Sequence, residues 1–340
     1  MDKPNVLYAT SRPARHRDIA LQAAPADVRV VMCSSDDPGE LLRHLPDADF
    51  LISERALTID AKLLEAAGRL RLIQRIGRLT HDIDMRETAR RGIRVCYLPV
   101  ERCAKVAEHA MMQMLMLQRG YRRLERLVRT PSDREPARCD ANTFAYNWAG
   151  ADVKPILGAV VGIVGFGEIG AELSLRLQPF GCQVLYHKRS RLPEHAETAL
   201  GVRYEALDDM LGKSDVVVIL LPHSGQTEGS VDSRFIAGMK RGAMLVATGA
   251  STALNEFEVA EAYRSGAIGG VATDGWNYEP VEPDNPLVRL ADDPESNVVF
   301  TPHVAAGSGV VDWTARRAEY ANIVRALRGD PLLNERMAPD

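Results

Sequence analysis

A chain of 340 residues is longer than one compact hydrophobic core usually requires, so two domains are expected. Its 46% hydrophobic and 6% aromatic residues are typical of a helix-rich α/β protein packed with Ala, Val and Leu. The net charge of -4, with interspersed signs, argues against nucleic acid as a partner, and no run approaches the roughly 20 apolar residues of a membrane span.

The amino-terminal segment has no apolar stretch of signal-peptide length, which predicts a cytoplasmic protein. The five cysteines are scattered and never in C-x-x-C spacing, so neither a disulfide framework nor a metal site is expected. These features favour a protein that acts on a small molecule, without nucleic acid, membrane or metal.

Short apolar runs alternate with turn or helical segments through the first hundred residues, a pattern typical of a parallel sheet. The runs are residues 5–10, 28–33, 49–53, 70–77 and 93–98. A Met-rich helix is predicted over 101–129, and burial between domains or subunits explains it better than an adaptable binding surface does. Residues 131–155 are interpreted as an irregular polar connection.

A glycine-rich loop follows the next predicted strand, in "AVVGIVGFGEIGAELSL" (159–175). The physical requirements are a glycine for the tight turn, one for close approach of a pyrophosphate, and one for close helix–strand packing. The loop lies between a strand and an amphipathic helix, which favours dinucleotide binding over a merely structural turn. The candidate cofactor-binding residues are Gly165, Phe166, Gly167, Glu168, Ile169 and Gly170.

The end of the second strand of this unit bears on the choice of dinucleotide. An NAD site usually places Asp or Glu there, where it accepts a hydrogen bond from the ribose 2′-hydroxyl. This chain has Lys188, Arg189, Ser190 and Arg191 instead. Cations and a hydroxyl suit a 2′-phosphate, so NADP(H) is preferred and NAD remains open. The alternative is a solvated basic loop that tolerates either cofactor.

Further motifs are "LLPHSGQTEGSV" (220–231), "DGWNYEP" (274–280) and "TPHVAAGS" (301–308). Together with "KVAEHAM" (105–111) they resemble the D-2-hydroxyacid dehydrogenase family, which includes glyoxylate/hydroxypyruvate reductases and phosphoglycerate dehydrogenase. The resemblance implies two doubly wound parallel-sheet (Rossmann-like) domains in an α/β protein, and a homodimer. A substrate domain of residues 1–100 and 305–340 would be split around an NAD(P)-binding domain of residues 101–304.

The resemblance also implies roles for individual residues. His303 matches the family's acid/base histidine, and Glu279 matches the glutamate that hydrogen-bonds it. Asp274 matches the residue that contacts the nicotinamide carboxamide. The remaining candidates for cofactor binding are Pro222, Thr227 and Thr248.

One strand end departs from the family pattern. "GAMLVATGASTALNE" (242–256) leads into a charge-free turn where the family has approximately Asn-Thr-x-Arg-Gly. Thr248 matches, but Ala247 replaces the asparagine, Ala250 the arginine and Ser251 the glycine. The family's arginine binds the substrate carboxylate, so its loss is expected to cost an ordinary 2-keto acid reductase several kcal/mol of transition-state binding.

The second departure follows the fourth predicted strand, where the family loop reads approximately Gly-x-Gly-x-Asp. Here Arg78 and Leu79 follow Gly77, and His81 lies two residues beyond Leu79. The side chain of Leu79 is expected to restrict the access of a substrate to the backbone of this loop. Arg78 is a candidate replacement for the missing arginine, although an arginine beside a loop is usually solvated.

Three interpretations remain open. The first is an NADP(H)-dependent oxidoreductase with an atypical carbonyl or 2-hydroxy acid-like substrate. The second is a cofactor-binding sensor or scaffold with little catalysis. The third is an inactivated variant of an ordinary dehydrogenase in which only position 250 has changed. The additional departures at 79, 247 and 251 favour natural divergence over this third interpretation.

Overall fold

The computed structural model describes residues 3–54, 57–131, 150–151, 153–307 and 311–337. Much of the connection predicted at 131–155 therefore lies outside the described residues. The strands are β1 Asn5–Ala9, β2 Arg29–Cys33, β3 Phe50–Ser53, β4 Leu72–Ile76, β5 Arg94–Leu98, β6 Val160–Val164, β7 Gln183–His187, β8 Val202–Tyr204, β9 Val216–Ile219, β10 Ala243–Ala247, β11 Ile268–Thr273, β12 Val298–Phe300 and β13 Glu335–Arg336.

The α-helices alternate with these strands. They are α1 Ala14–Gln22, α2 Pro38–His44, α3 Ala61–Glu65, α4 Met85–Arg90, α5 Glu101–Arg119, α6 Tyr121–Arg129, α7 Glu168–Leu177, α8 Glu194–Leu200, α9 Leu207–Lys213, α10 Ser233–Ala237, α11 Glu256–Arg264, α12 Trp313–Ala318 and α13 Ala321–Arg328. Within the described ranges, no helix has both the length and the apolar composition needed to cross a bilayer.

The chain divides into two compact units, each with its own sheet. Unit 1 comprises Met1–Cys103 and Gly309–Asp340, and unit 2 comprises Ala104–Ser308. Unit 1 has strand order β13-β5-β4-β3-β1-β2, parallel apart from the antiparallel edge strand β13. Side chains of the parallel strands alternate between two apolar cores, as period-2 geometry requires: Leu51 packs in one core and Ile52 in the other.

Unit 2 contains a seven-stranded parallel sheet with the order β12-β11-β10-β9-β6-β7-β8. Its strand order reverses between β6 and β9, since the chain first adds strands on one side of β6 and then on the other. Ligands of open α/β sheets bind outside the carboxyl ends of the strands at such a point. Buried apolar residues of β9 and β10, including Val217 and Leu245, pack in the core that holds these strand ends in place.

The predicted fold class is confirmed, and the five strands predicted in the first hundred residues are all present. The single helix predicted over 101–129 is wrong in one respect. Gly120 adopts a left-handed conformation with φ 58° and separates α5 from α6. A glycine adopts this conformation without the steric cost that a Cβ would impose, so the chain turns there. The assignment of substrate binding to unit 1 stays a prediction.

Candidate active site

Five polypeptide segments meet at one edge of the unit 2 sheet because parallel strands present their carboxyl ends together. They follow β6, β9, β10, β11 and β12 and comprise residues 165–170, 220–227, 248–252, 274–279 and 301–303. All candidate site residues of unit 2 except the basic loop at 188–190 belong to these segments. That loop follows β7, which is the neighbour of β6 in the sheet.

The three glycines of the loop after β6 differ in what a side chain would encounter. Gly165 has φ +83°, and a Cβ there would lie 2.8 Å from the carbonyl oxygen of Leu220. A Cβ on Gly170 would lie 3.0 Å from the ring of Phe166. A Cβ on Gly167 would meet no described atom within 4 Å. Gly165 is therefore required by its backbone conformation and by Leu220, Gly170 fits closely against Phe166, and Gly167 borders open space.

That open space fits a dinucleotide pyrophosphate. Gly167 is the N-cap of α7 and supplies no side-chain cap, and the N-terminus of a helix is the end that favours an anion. A second feature that fits a bound ligand is the hydroxyl oxygen Oγ1 of Thr248, which is buried without a hydrogen-bond partner among the described residues. A buried hydroxyl normally has a partner, and a bound ligand would supply one.

Replacing Gly167 with valine is expected to abolish dinucleotide binding without unfolding the protein. A Cβ at this position would meet no described atom within 4 Å, and the branched side chain would extend into the space beside the N-terminus of α7. We expect at least a ~100-fold increase in the Kd for NADPH, measured by fluorescence titration, with an unchanged Tm. Gly68→Val, at another glycine with open surroundings, is the matched control. Unchanged NADPH affinity would remove this loop from the cofactor site.

The basic loop contains fewer available cations than its sequence predicts. Arg191 forms two hydrogen bonds with the buried carboxylate of Glu197, at 2.9 and 2.7 Å. Tyr186 donates to the same carboxylate at 2.7 Å. Lys188 is half-buried, while Arg189 and Ser190 are exposed. Arg191 is therefore already engaged by Glu197, whereas Arg189 is an exposed cation of this loop.

The proton-transfer candidates lie in direct contact. Nδ1 of His303 is 2.9 Å from Oε1 and 2.8 Å from Oε2 of Glu279. The backbone N–H of Trp276 donates to Oε1 at 3.0 Å, and the Ser251 hydroxyl lies 3.5 Å from the same oxygen. Burial by itself would raise the pKa of Glu279, but the hydrogen bonds from His303 and Trp276 outweigh it and lower that pKa. Glu279 is therefore an ionised partner for the imidazole at neutral pH.

Asp274 fixes the backbone that carries the histidine. His303 has φ 54°, an unusual conformation for a residue with a side chain, and its N–H donates to the carbonyl oxygen of Asp274 at 2.7 Å. The Asp274 carboxylate accepts from the Thr301 hydroxyl at 2.6 Å and from the N–H groups of Val304 at 3.0 Å and Ala305 at 2.8 Å. Burial would raise the pKa of this carboxyl, but these hydrogen bonds lower it. The expected contact of Asp274 with the nicotinamide carboxamide stays a prediction. In the structure, Asp274 also stabilises the backbone on both sides of His303.

Two further candidates support the loop after β9. The Thr227 hydroxyl donates to the carbonyl oxygen of Pro222 at 2.6 Å and accepts from the N–H of Ser224 at 3.0 Å. Thr227 thus stabilises the turn in which Pro222 lies. Direct contact of either residue with the cofactor stays a prediction.

The substrate-binding candidates fall into different units. Ala250 is half-buried, and its N–H donates to the carbonyl oxygen of Leu221 at 2.9 Å. Leu79 is 4% exposed. Arg78 donates from Nη1 to the Tyr97 hydroxyl at 3.3 Å, and its guanidinium lies 5.5 Å from the centre of that ring. These contacts of Arg78 lie within unit 1, and its proposed role as a substitute arginine stays a prediction.

Sequence reasoning did not assign two histidines that contact this edge. Nε2 of His109 in α5 lies 2.9 Å from the Thr301 hydroxyl and 3.5 Å from Asp274. Nδ1 of His223 lies 2.7 Å from the Thr252 hydroxyl. His109 lies in "KVAEHAM", one of the motifs that carry the family resemblance, so a signal for it was present. His223 lies in "LLPHSGQTEGSV", which also carries the resemblance, but its partner Thr252 is 29 residues away in sequence.

Several known proteins are similar to this chain in sequence. Residues 111–305 match the family model described as D-isomer specific 2-hydroxyacid dehydrogenase, NAD binding domain. A D-3-phosphoglycerate dehydrogenase of Mycobacterium leprae is 29% identical over 351 residues, covering 100% of this chain and 62% of that protein. A glyoxylate reductase of Thermofilum pendens is 29% identical over 293 residues, covering 86% of this chain and 82% of that protein.

A solved structure is similar to this chain in its fold. The PH0520 protein of Pyrococcus horikoshii is similar with a TM-score of 0.54 and 27% identity, covering 98% of this chain and 95% of that one. The chain spans less than two thirds of the length of the Mycobacterium leprae relative. The family model matches more than half of the chain and most of unit 2, and it describes a domain that binds a nicotinamide dinucleotide. The chain belongs to the D-isomer specific 2-hydroxyacid dehydrogenase family.

Proposed function

We propose that this chain is an NADP(H)-preferring oxidoreductase that transfers hydride between nicotinamide and a carbonyl or 2-hydroxy acid-like substrate. The observation that carries the proposal is the contact of His303 with Glu279, at 2.8 Å, on the sheet edge that also bears the glycine loop. A bound nicotinamide would supply or accept the hydride. The chain's own residues would supply the proton and hold the substrate.

The hydrogen bond to Glu279 determines which nitrogen of His303 reacts. Nδ1 is committed to the carboxylate, so Nε2 is the atom that donates a proton to the substrate oxygen during reduction and accepts it during oxidation. The ionised Glu279 stabilises the imidazolium form that precedes reduction. A histidine suits this role because imidazole exchanges protons near neutral pH.

Position 250 makes the substrate atypical. Alanine there has no group that can bind a carboxylate, so substrate binding depends on other donors or on a substrate without a carboxylate. This absence favours the second candidate function, a cofactor-binding sensor or scaffold with little catalysis. The intact contact between His303 and Glu279 favours the oxidoreductase, since a sensor has no need of a proton-transfer pair. Homodimerisation and a cytoplasmic location stay predictions.

The Ala250→Arg variant separates these functions. We expect the unaltered chain to oxidise NADPH with at least one member of a panel of 2-keto acids, keto esters and aldehydes. Restoring a guanidinium should raise kcat/KM for glyoxylate by roughly 100-fold, since a charge-assisted pair contributes about 1.5–3 kcal/mol. The measurement is loss of NADPH absorbance, beside binding titrations with NADPH and NADH.

The contrary outcome is equally clear. Tight NADPH binding by the unaltered chain without turnover of any panel member, and activity with glyoxylate only in Ala250→Arg, would identify a sensor or a disabled enzyme.

A further inference from the structure

His223 is an imidazole at the active-site edge that the proposed mechanism does not use. It follows Pro222 in the segment after β9, and it is exposed. Its Nδ1 lies 2.7 Å from the hydroxyl oxygen of Thr252, two residues beyond Ala250. The side chain is therefore held against the turn in which this chain departs from its family.

Backbone contacts fix the segments on both sides of this contact. The N–H of Ala250 donates to the carbonyl oxygen of Leu221 at 2.9 Å. A Cβ on Gly249 would lie 2.8 Å from the Cα of Leu220, so the two segments approach as closely as glycine allows. Because Leu221 is bonded to Ala250 and His223 to Thr252, the two segments are tied together at two successive points.

The same turn also faces the proton-transfer pair. Ser251 lies between Ala250 and Thr252, and its hydroxyl is 3.5 Å from Oε1 of Glu279. A Cβ on Gly275 would lie 2.3 Å from that hydroxyl, which shows how closely the turn packs against the segment after β11. Residues 250–252 thus connect the carboxylate partner of His303 on one side with His223 on the other.

The chemistry of this arrangement suits an anion. With Nδ1 hydrogen-bonded to Thr252, Nε2 is the ring nitrogen left to donate a hydrogen bond to an anion. A hydrogen bond from a cationic donor to a carboxylate is about twice as strong as a neutral one. An imidazole held at Thr252, two residues from Ala250, therefore offers a hydrogen-bond donor of the kind that the family's arginine has and alanine lacks.

We propose that His223, positioned by Thr252, binds the carboxylate of a small 2-keto or 2-hydroxy acid at this edge. This inference rests on the proposed oxidoreductase function and adds the residue that binds the carboxylate of the substrate. It makes His223 a determinant of substrate binding, and it makes Thr252 a positioning residue that acts through the imidazole. A single N–H donor replaces a bidentate guanidinium, so binding is weaker and less restrictive in orientation.

Calorimetric titration with oxalate, a small dicarboxylate that cannot be reduced here, tests the proposal without requiring turnover. The full chain is titrated with and without saturating NADPH. We expect His223→Leu to weaken oxalate binding at least ~10-fold, which corresponds to about 1.4 kcal/mol. Thr252→Val should weaken it by a smaller factor, since the imidazole remains but loses its anchor.

The control variants are chosen to exclude other causes. His44→Leu removes an exposed histidine of α2 and should leave oxalate and NADPH binding unchanged. Arg78→Ala removes the competing candidate cation. The proposal is overturned if oxalate does not bind the unaltered chain, if His223→Leu binds it normally, or if only Arg78→Ala loses it.

The two proposals fail in different ways. Oxalate binding that depends on His223, without reduction of any carbonyl compound, would retain the anion site and remove the oxidoreductase. Reduction of keto acids with an unchanged KM in His223→Leu would retain the oxidoreductase and overturn the anion site.

Discussion

Replacing His303 with asparagine is expected to lower kcat by about 10²- to 10⁴-fold with little effect on NADPH affinity, since general acid/base catalysis typically contributes this much. Asparagine is the appropriate substitution because the residue has φ 54°, and asparagine tolerates this region better than most residues. The variant therefore removes the imidazole while keeping the turn that Asp274 stabilises. The rate is measured as NADPH oxidation at saturating substrate, and NADPH affinity by titration.

The carboxylate partner gives a graded version of the same test. Glu279→Gln retains a hydrogen-bond acceptor but loses the charge, so we expect a fall in kcat of roughly tenfold or more. Glu282→Gln, at an exposed carboxylate three residues away, is the matched control and should be neutral. Full turnover in His303→Asn would show that another group transfers the proton, and the proposed mechanism would then be wrong.

Local patterns made much of this site predictable. The glycine loop is recognisable because the turn, the close approach and the helix packing each demand a glycine at fixed spacing after a strand. The structure bears out the tight turn at Gly165, where a Cβ would clash with Leu220, whereas Gly170 fits closely against Phe166 of the same loop and Gly167 is open. The pairing of Glu279 with His303 also follows from sequence once the family motifs are aligned, although the contact spans 24 residues.

Contacts set by tertiary packing were not predictable in the same way. The sequence shows Arg191 as one of three neighbouring cations, and only the fold shows that Glu197 of α8 engages it. The break at Gly120 depends on one glycine within an otherwise continuous helical pattern. The contact of His223 with Thr252 requires two strand ends to be adjacent in the sheet, which the strand order determines and the residue types do not.

Replacing Arg189 with alanine is expected to raise the Kd for NADPH by about 10- to 100-fold while leaving the Kd for NADH almost unchanged. A charge-assisted hydrogen bond to a phosphate contributes about 1.5–3 kcal/mol. NADH has no 2′-phosphate, so its binding does not depend on this hydrogen bond. Arg234→Ala, at another exposed arginine of unit 2, is the matched control. Fluorescence titrations with both cofactors at low and high salt measure the effect, which should shrink as salt screens the exposed charge.

The stronger test introduces the charge that this strand end lacks. Lys188→Asp places a carboxylate where it would repel a 2′-phosphate and accept a hydrogen bond from a 2′-hydroxyl, so we expect the preference to shift towards NADH. We do not expect Arg191 to compensate, because Glu197 already binds it through two hydrogen bonds. Equal affinities for NADPH and NADH in the unaltered chain, unchanged by either substitution, would instead identify residues 188–190 as a solvated loop that does not select the cofactor.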